Sequence, residues 1–301
     1  MHEIKTRGEK AFQIFAFVFL TLLTIFALAP FVPIISASLT EENTLAVGGY
    51  QFWPKVFSGA AYEYLFTKAG TILNAYGISI IVTAVGTVVS LIISPMLAYP
   101  MSRKDFRFRN FLAFFVFFTM IFSGGLVPSY MMWTRIFQIK DTIFALIIPN
   151  YLMGAFNIFL LRNYFTNSIP VSLIESAQLD GAKELTIFFK IILPLSTPVL
   201  ATVGLFVGLA YWNDWTNGLY YITDTALYSI QNLLNRLMQN IEYLKSGSAI
   251  SNIAGNIDTS QMPSTSIRMA IAVVAVLPII IIFPFIQKYF IKGVVVGAVK
   301  G

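Results

Sequence analysis

Side chains able to do covalent or metal chemistry are nearly missing from the apolar parts of this chain. There is no cysteine and one histidine, His2. A thiol nucleophile, a disulfide framework and a His/Cys metal site are therefore excluded. No G-x-x-x-x-G-K-[ST] cradle for phosphates occurs, so the chain does not draw energy from ATP itself. Ion-coupled carriers usually hold carboxylates or histidines at membrane depth to bind the driving ion. Here the six long charge-free runs, 11–40, 69–102, 110–134, 142–161, 191–213 and 269–287, contain no Asp, Glu, Lys, Arg or His. An enzyme within the membrane is disfavoured on the same ground. No catalytic, cofactor-binding or metal-binding residue is expected. Energy for any uphill work must arrive from another subunit, and the polar stretch Glu175-Ser-Ala-Gln-Leu-Asp-Gly181 to Ile191-Ile-Leu-Pro194 is where it could arrive.

The elements around that stretch follow from composition. Of 301 residues, 57% are apolar and 11% charged, too few charges to cover a large water-soluble protein. A run of about 20 apolar residues spans a hydrocarbon core as a helix. The chain is expected to be all-α and polytopic, a single transmembrane domain over 1–301 with six spans, at about 12–37, 71–98, 111–132, 142–161, 195–213 and 267–287. The first apolar stretch, Ala11 to about Ser36, is too long for the core of a signal peptide and closes on no small-residue cleavage site, so it reads as a retained span. The second span carries Gly77, Ser79, Thr83, Gly86, Thr87 and Ser90 at three- and four-residue spacing, which lets helix backbones approach closely in lipid.

Charge sets the orientation. The net charge of +6 would suit nucleic acid, but its placement does not. With the N-terminus inside, 13 of the 20 Lys and Arg residues fall on inner segments and 7 on outer ones. That asymmetry fixes insertion, with both termini cytoplasmic, and reports contact with anionic lipid rather than nucleic acid. Tyr50, Phe52 and Trp53 in the first outer segment suit the headgroup level. The long outer region 216–266 ends in a Gly/Ser/Asn-rich loop, 246–263, with almost no charge.

Residues 168–194 leave the membrane on the inner face as two short helices. Ser172 and Glu175 have capping-box spacing, and Gly181 stands where a left-handed cap would end the first helix. The second is expected from about Ala182 to Ile192, with Leu185, Phe188 and Phe189 on one face, before Pro194 and Pro198. Joined at a glycine, two such helices make a stiff elbow able to transmit a push.

The spacing Glu-x-Ala-x-x-x-Gly-x9-Ile-x-Leu-Pro resembles the cytoplasmic loop of bacterial ABC import permeases. Leu160-Leu-Arg-Asn-Tyr-Phe with Ile169-Pro, Leu179-Asp-Gly-Ala182, Trp212-Asn-Asp and the C-terminal Lys292-Gly with Gly297-Ala-Val-Lys-Gly301 resemble the carbohydrate-uptake, maltose-importer-like branch, most closely the LplC/YtcP type of polysaccharide and oligosaccharide permease. Ser176 departs from the usual Glu-Ala-Ala opening. The resemblance implies a type I ABC importer permease fold in the bacterial cytoplasmic membrane. It implies coupling to ATPases through Glu175, Ser176, Ala177, Asp180, Gly181, Ala182, Phe188, Ile191, Leu193 and Pro194, and a tail with Gly297, Lys300 and Gly301 reaching the ATPases. It further implies a second, homologous permease subunit, two ATP-binding cassette subunits that use ATP and Mg, an extracytoplasmic solute-binding protein and a saccharide substrate. Sugars are held by aromatic faces and hydroxyl-matching polar groups, so Tyr211, Trp212, Asn213 and Trp215 are candidates for the substrate path, with an aromatic belt and helix-end packing as the alternative. Residues 246–263 stand where a loop could touch the binding protein. A partner-independent, sodium-coupled carrier and a membrane scaffold are the competing functions.

Overall fold

The computed structural model describes residues 7–67, 69–245 and 265–298. Their regular elements are helices, with one isolated antiparallel bridge, Thr40 to Phe57, among the described residues. Contacts gather the chain into two units, one of residues 1–69 and 237–278, the other of 70–236 and 279–301.

The first unit begins with α1 (Arg7–Leu28) and α2 (Phe31–Ser38). Together Gly8–Ser38 have a mean hydropathy of 2.5, and none of their most apolar window is buried within the chain. Such a surface belongs in lipid or against another protein. Thr21 and Thr24 turn their hydroxyls onto the Phe17 and Leu20 carbonyls at 2.7 and 2.8 Å, so neither is left unpaired on an apolar helix. Beyond α2 the chain tightens. The Glu41 amide donates to the Val56 carbonyl at 3.1 Å and Ser58 to Leu39 at 2.9 Å. This ladder links the start of α3 (Glu42–Gly48) to the segment before α4 (Ala60–Thr67). The Glu42 carboxylate accepts from the Thr265 and Ser266 amides and the Ser266 hydroxyl, each at 2.9 Å. A negative group there complements the first amides of the last helix.

The second unit is built on α5 (Ala69–Ser102), an unbroken helix of mean hydropathy 2.3. It is followed by α6 (Arg109–Ile121) and α7 (Leu126–Met131), bent by 114° where Gly125 takes φ +86°. The remaining helices are α8 (Phe144–Ile147), α9 (Ala155–Ser168), α10 (Val171–Leu179), α11 (Glu184–Ile187), α12 (Leu193–Leu195), α13 (Thr197–Trp212), α14 (Thr216–Tyr221) and α15 (Ile230–Lys245). The last, α16 (Thr265–Ala298), covers the expected sixth span. The small-residue face of α5 receives α13: a Cβ on Gly86 would stand 2.5 Å from the Tyr211 ring, and one on Gly204 3.2 Å from Leu91. That close approach is what the spacing in the second span predicts.

Six unbroken spans are not present among the described residues. Two helices are long and apolar enough to cross a bilayer alone, and two bent pairs, α6–α7 and Glu184–Leu195 with α13, bring the number to four. The stretch 142–161 departs most from expectation, because it breaks between α8 and α9. Pro149 offers no amide, Asn150 adopts φ +71°, and the chain turns rather than continuing. The carbonyls freed by the break are met from α13 and α14: Tyr211 Oη donates to the Ile147 carbonyl at 2.7 Å and Asn217 Nδ2 to that of Pro149 at 3.3 Å. A broken backbone is tolerated at membrane depth when protein groups satisfy it in this way.

Candidate coupling elbow and polar cluster

The elbow starts at Pro170, whose fixed φ begins α10. The expected Ser172–Glu175 capping box does not form. Pro170 occupies the cap position and places Ser172 inside the first turn, where its hydroxyl cannot reach the open amides; no side-chain cap bond is made. The other end is as expected. The Ala182 amide donates to the Ala177 carbonyl at 2.9 Å and the Gly181 amide to Gln178 at 3.0 Å, with Gly181 at φ +79°. These two bonds around a left-handed residue make a Schellman motif, which ends the helix and fixes the direction of the next segment.

The second arm is not the regular helix expected from Ala182 to Ile192. One turn of α11 leads into a wider π-turn over Phe188–Ile192 and then α12. The cause lies in the prolines. Pro194 has no amide for the Lys190 carbonyl, and the Leu193 amide instead reaches Phe188 across the π-turn. Pro198 has none for the Pro194 carbonyl, and the Thr197 hydroxyl donates there at 2.7 Å. Ser196 Oγ likewise donates to the Ile192 carbonyl at 2.7 Å, at the 79° bend into α13.

The coupling candidates consequently divide. Glu175, Ser176, Asp180, Gly181 and Pro194 are exposed, while Ala177, Ala182, Ile191 and Leu193 are half-buried. Phe188 corrects the expected face, because it is 4% exposed and its ring lies 5.4 Å from that of Tyr99. It holds the elbow to α5 rather than presenting itself. Exposed apolar side chains cover the outside of the elbow instead: Leu179 is 89% exposed, Leu185 67% and Phe189 53%, with Val171 and Leu173 beside them. Exposed apolar side chains of this kind mark contact with protein or lipid. Leu179 was within reach of sequence reasoning as an apolar residue two positions before the terminating glycine. Gly297 lies within α16; Lys300, Gly301 and the loop 246–263 lie outside the described residues.

The four substrate-path candidates stand at the far end of α13, and the structure does not bring them into one site. Tyr211 and Trp212 are 3% and 7% exposed. Tyr211 is committed to the Ile147 carbonyl, and Trp212 stacks on Tyr76 at 6.2 Å. Asn213 is exposed, with its amide on the Leu209 carbonyl at 2.9 Å, and Trp215 is 42% exposed. Helix-end packing, the alternative, describes the first two. Between Asn213 and Trp215 lies the last residue of the Trp212-Asn-Asp motif, which was not among the substrate-path candidates. Asp214, 7% exposed, accepts at one oxygen from the Thr216 hydroxyl (2.7 Å), the Thr216 amide (3.0 Å), the Asn217 amide (3.2 Å) and Tyr151 Oη (3.3 Å). Burial pushes its carboxyl above the ordinary range, and these donors pull the other way. Asp214→Ala strands those donors, so it should lower the thermal unfolding midpoint of the detergent-solubilised protein by the equivalent of about 1–3 kcal/mol. A midpoint equal to wild type would remove Asp214 from this structural role.

The chain matches the model for the binding-protein-dependent transport system inner membrane component over residues 90–296. It belongs to that family. The chain is thus an ABC importer permease, a helical membrane subunit of the type I fold. This permease is 37% identical to the polygalacturonan/rhamnogalacturonan transport system permease protein YtcP of Bacillus subtilis (strain 168), over 97% of this chain and 99% of that protein. It is also 37% identical to the protein LplC of the same organism, over 98% and 97%. Among solved structures it is similar to a bacterial ABC transporter that imports the acidic polysaccharide alginate, with a TM-score of 0.74 and 29% identity, covering 95% of this permease and 99% of that chain.

Proposed function

We propose that this permease is one half of a heterodimeric pore that imports saccharides, oligosaccharides or fragments of polysaccharide. Two separate ATPase subunits would drive it through residues 168–194, and both termini would face the cytoplasm. An extracytoplasmic binding protein would deliver the sugar, with residues 246–263 as the candidate segment to meet it. The chain itself binds no cofactor; ATP and Mg belong to the ATPases. One single transmembrane domain with six spans, some of them broken, would form the half-pore. The carrying observation is the elbow. Its first arm is closed by the Schellman motif at Gly181, its outer side is apolar, and every long apolar run lacks an ionisable group. The names of the similar permeases and of the alginate importer support the substrate class.

ATP binding closes the ATPases, the docked elbows move with them, and the pore rocks between inward- and outward-open states as a rigid-body transition. Glu175 is exposed on α10 and is assigned to the docking surface. Glu175→Lys reverses a charge at that surface and should lower co-purification of the ATPases at least about fivefold, the lower end for losing a charged contact. Undiminished co-purification would take Glu175 out of the contact. The saccharide is identified by purifying the binding protein and analysing what it carries; a non-sugar ligand would overturn the substrate class.

A further inference from the structure

The coupling residues named so far lie on the elbow itself, yet a push is useful only if the elbow is tied to a spanning helix. The carboxylate of Glu184 makes such a tie. Its Oε2 accepts from Tyr99 Oη at 2.8 Å, on the last turns of α5, and its Oε1 accepts from Gln178 Nε2 at 2.8 Å, on α10. Glu184 opens α11, so one side chain joins both arms of the elbow to the inner end of the 34-residue α5. Arg103 Nη2 stands 3.9 Å from Oε1, but its closer partner is Asp105, which it grips at 3.0 and 2.8 Å. Below the hydroxyl, the Tyr99 ring rests on the buried Phe188 ring.

Beside this junction the elbow and α5 are not packed solid. A cleft of 390 Å³ opens there, lined by Met96, Pro100, Phe106 and Leu185 along with the junction residues. With space on that side, the hydroxyl–carboxylate bond and the ring pair are contacts that join elbow to helix across it. Hydrogen bonds to an ionised acceptor are short and strong enough to act as such a link. The helix beyond is continuous back to Ala69, so displacement of its inner end is carried along it.

We propose that Glu184 and Tyr99 form a latch that makes the elbow and the inner end of α5 move as one body through the transport cycle. The inference rests on the importer reading above and adds positioning residues to it; neither touches substrate.

The test uses the assembled importer, with its partner permease, ATPases and binding protein, in proteoliposomes. Tyr99→Phe removes only the hydroxyl and keeps the ring on Phe188. It should lower solute moved per ATP hydrolysed about tenfold while leaving ATPase co-purification and the affinity for the loaded binding protein unchanged. Glu184→Ala, which also releases Gln178, should lower the ratio at least as much, and the double variant should be no worse than Glu184→Ala alone, since the Tyr99 hydroxyl then has no carboxylate left to lose. A wild-type transport-to-hydrolysis ratio in Tyr99→Phe, or additive losses in the double variant, overturns the latch. A second measurement holds even where these variants assemble poorly. The chain has no cysteine, so Met96→Cys with Leu185→Cys places the only two thiols across the cleft. A short bifunctional maleimide should bridge them equally without nucleotide and with trapped ATP. Bridging in one state only shows that elbow and α5 part, and the latch fails. If wild type itself shows no ATP-dependent uptake, the importer reading has failed instead.

Discussion

Gly181→Val should reduce ATP-driven uptake about tenfold or more, with the protein still inserted and folded. The residue adopts φ +79°, and no atom outside its neighbours lies within 4 Å of where its Cβ would stand. Bulk is therefore not the obstacle. A left-handed backbone costs an ordinary L-residue about 1–2 kcal/mol, and a β-branched one more. That sum is enough to unwind the Schellman motif and redirect α11, because the motif's two bonds are local and exposed. Asparagine accepts the left-handed region far better, so Gly181→Asn should keep uptake within about twofold of wild type. The pair separates backbone geometry from side-chain size. Equal uptake by the Val and Asn variants would show that the turn at Gly181 does not govern coupling.

Gly86→Val should have the larger effect on the protein itself, with little folded chain recovered in detergent. A Cβ there would meet the Tyr211 ring at 2.5 Å. The ring cannot swing aside cheaply, because its hydroxyl closes the break after α8 by donating to the Ile147 carbonyl at 2.7 Å. Moving it would strand that carbonyl, at about 1–3 kcal/mol, on top of about 1–3 kcal/mol for overfilling a packed interface. Gly77 is the control on the same helix, with nothing within 4 Å of its Cβ position. Gly77→Ala should be recovered at wild-type yield. Size-exclusion profiles and thermal midpoints of the three proteins decide the matter, and a monodisperse, wild-type-like Gly86→Val protein would contradict the close α5–α13 contact.

What the sequence made legible was what depends on local periodicity. The small residues of α5 announced a close helix contact, because only Gly, Ser and Thr at that spacing admit a neighbouring backbone. Gly181 announced the left-handed end of α10. Three features escaped because they depend on groups distant in sequence or on backbone hydrogen-bond counting. The break in 142–161 is hidden in an apolar run, and the side chains that make it tolerable, Tyr211 and Asn217, lie more than sixty residues away. The π-turn after Ile187 follows from Pro194, and it turns Phe188 inward while leaving Leu185 and Phe189 outside. Pro170 took the cap position that Ser172 was expected to fill. At the C-terminal end of α13, aromatic residues drew attention as sugar-binding candidates. Burial of Tyr211 and Trp212 gives both a structural role, and Asp214, quoted in the Trp212-Asn-Asp motif but not as a candidate, organises the turn between them and α14.

The central claim is that work enters this permease from outside the chain through residues 168–194. It is tested most directly by uptake of a labelled saccharide, the one carried by the cognate binding protein, into proteoliposomes holding the permease pair, with and without the ATPase subunits. Accumulation above the external concentration is expected only when ATPases and ATP are both present, with the uptake rate lowered about tenfold or more when the elbow carries Gly181→Val. Uphill accumulation by the permease without any ATPase, or driven by a sodium gradient alone, would contradict it.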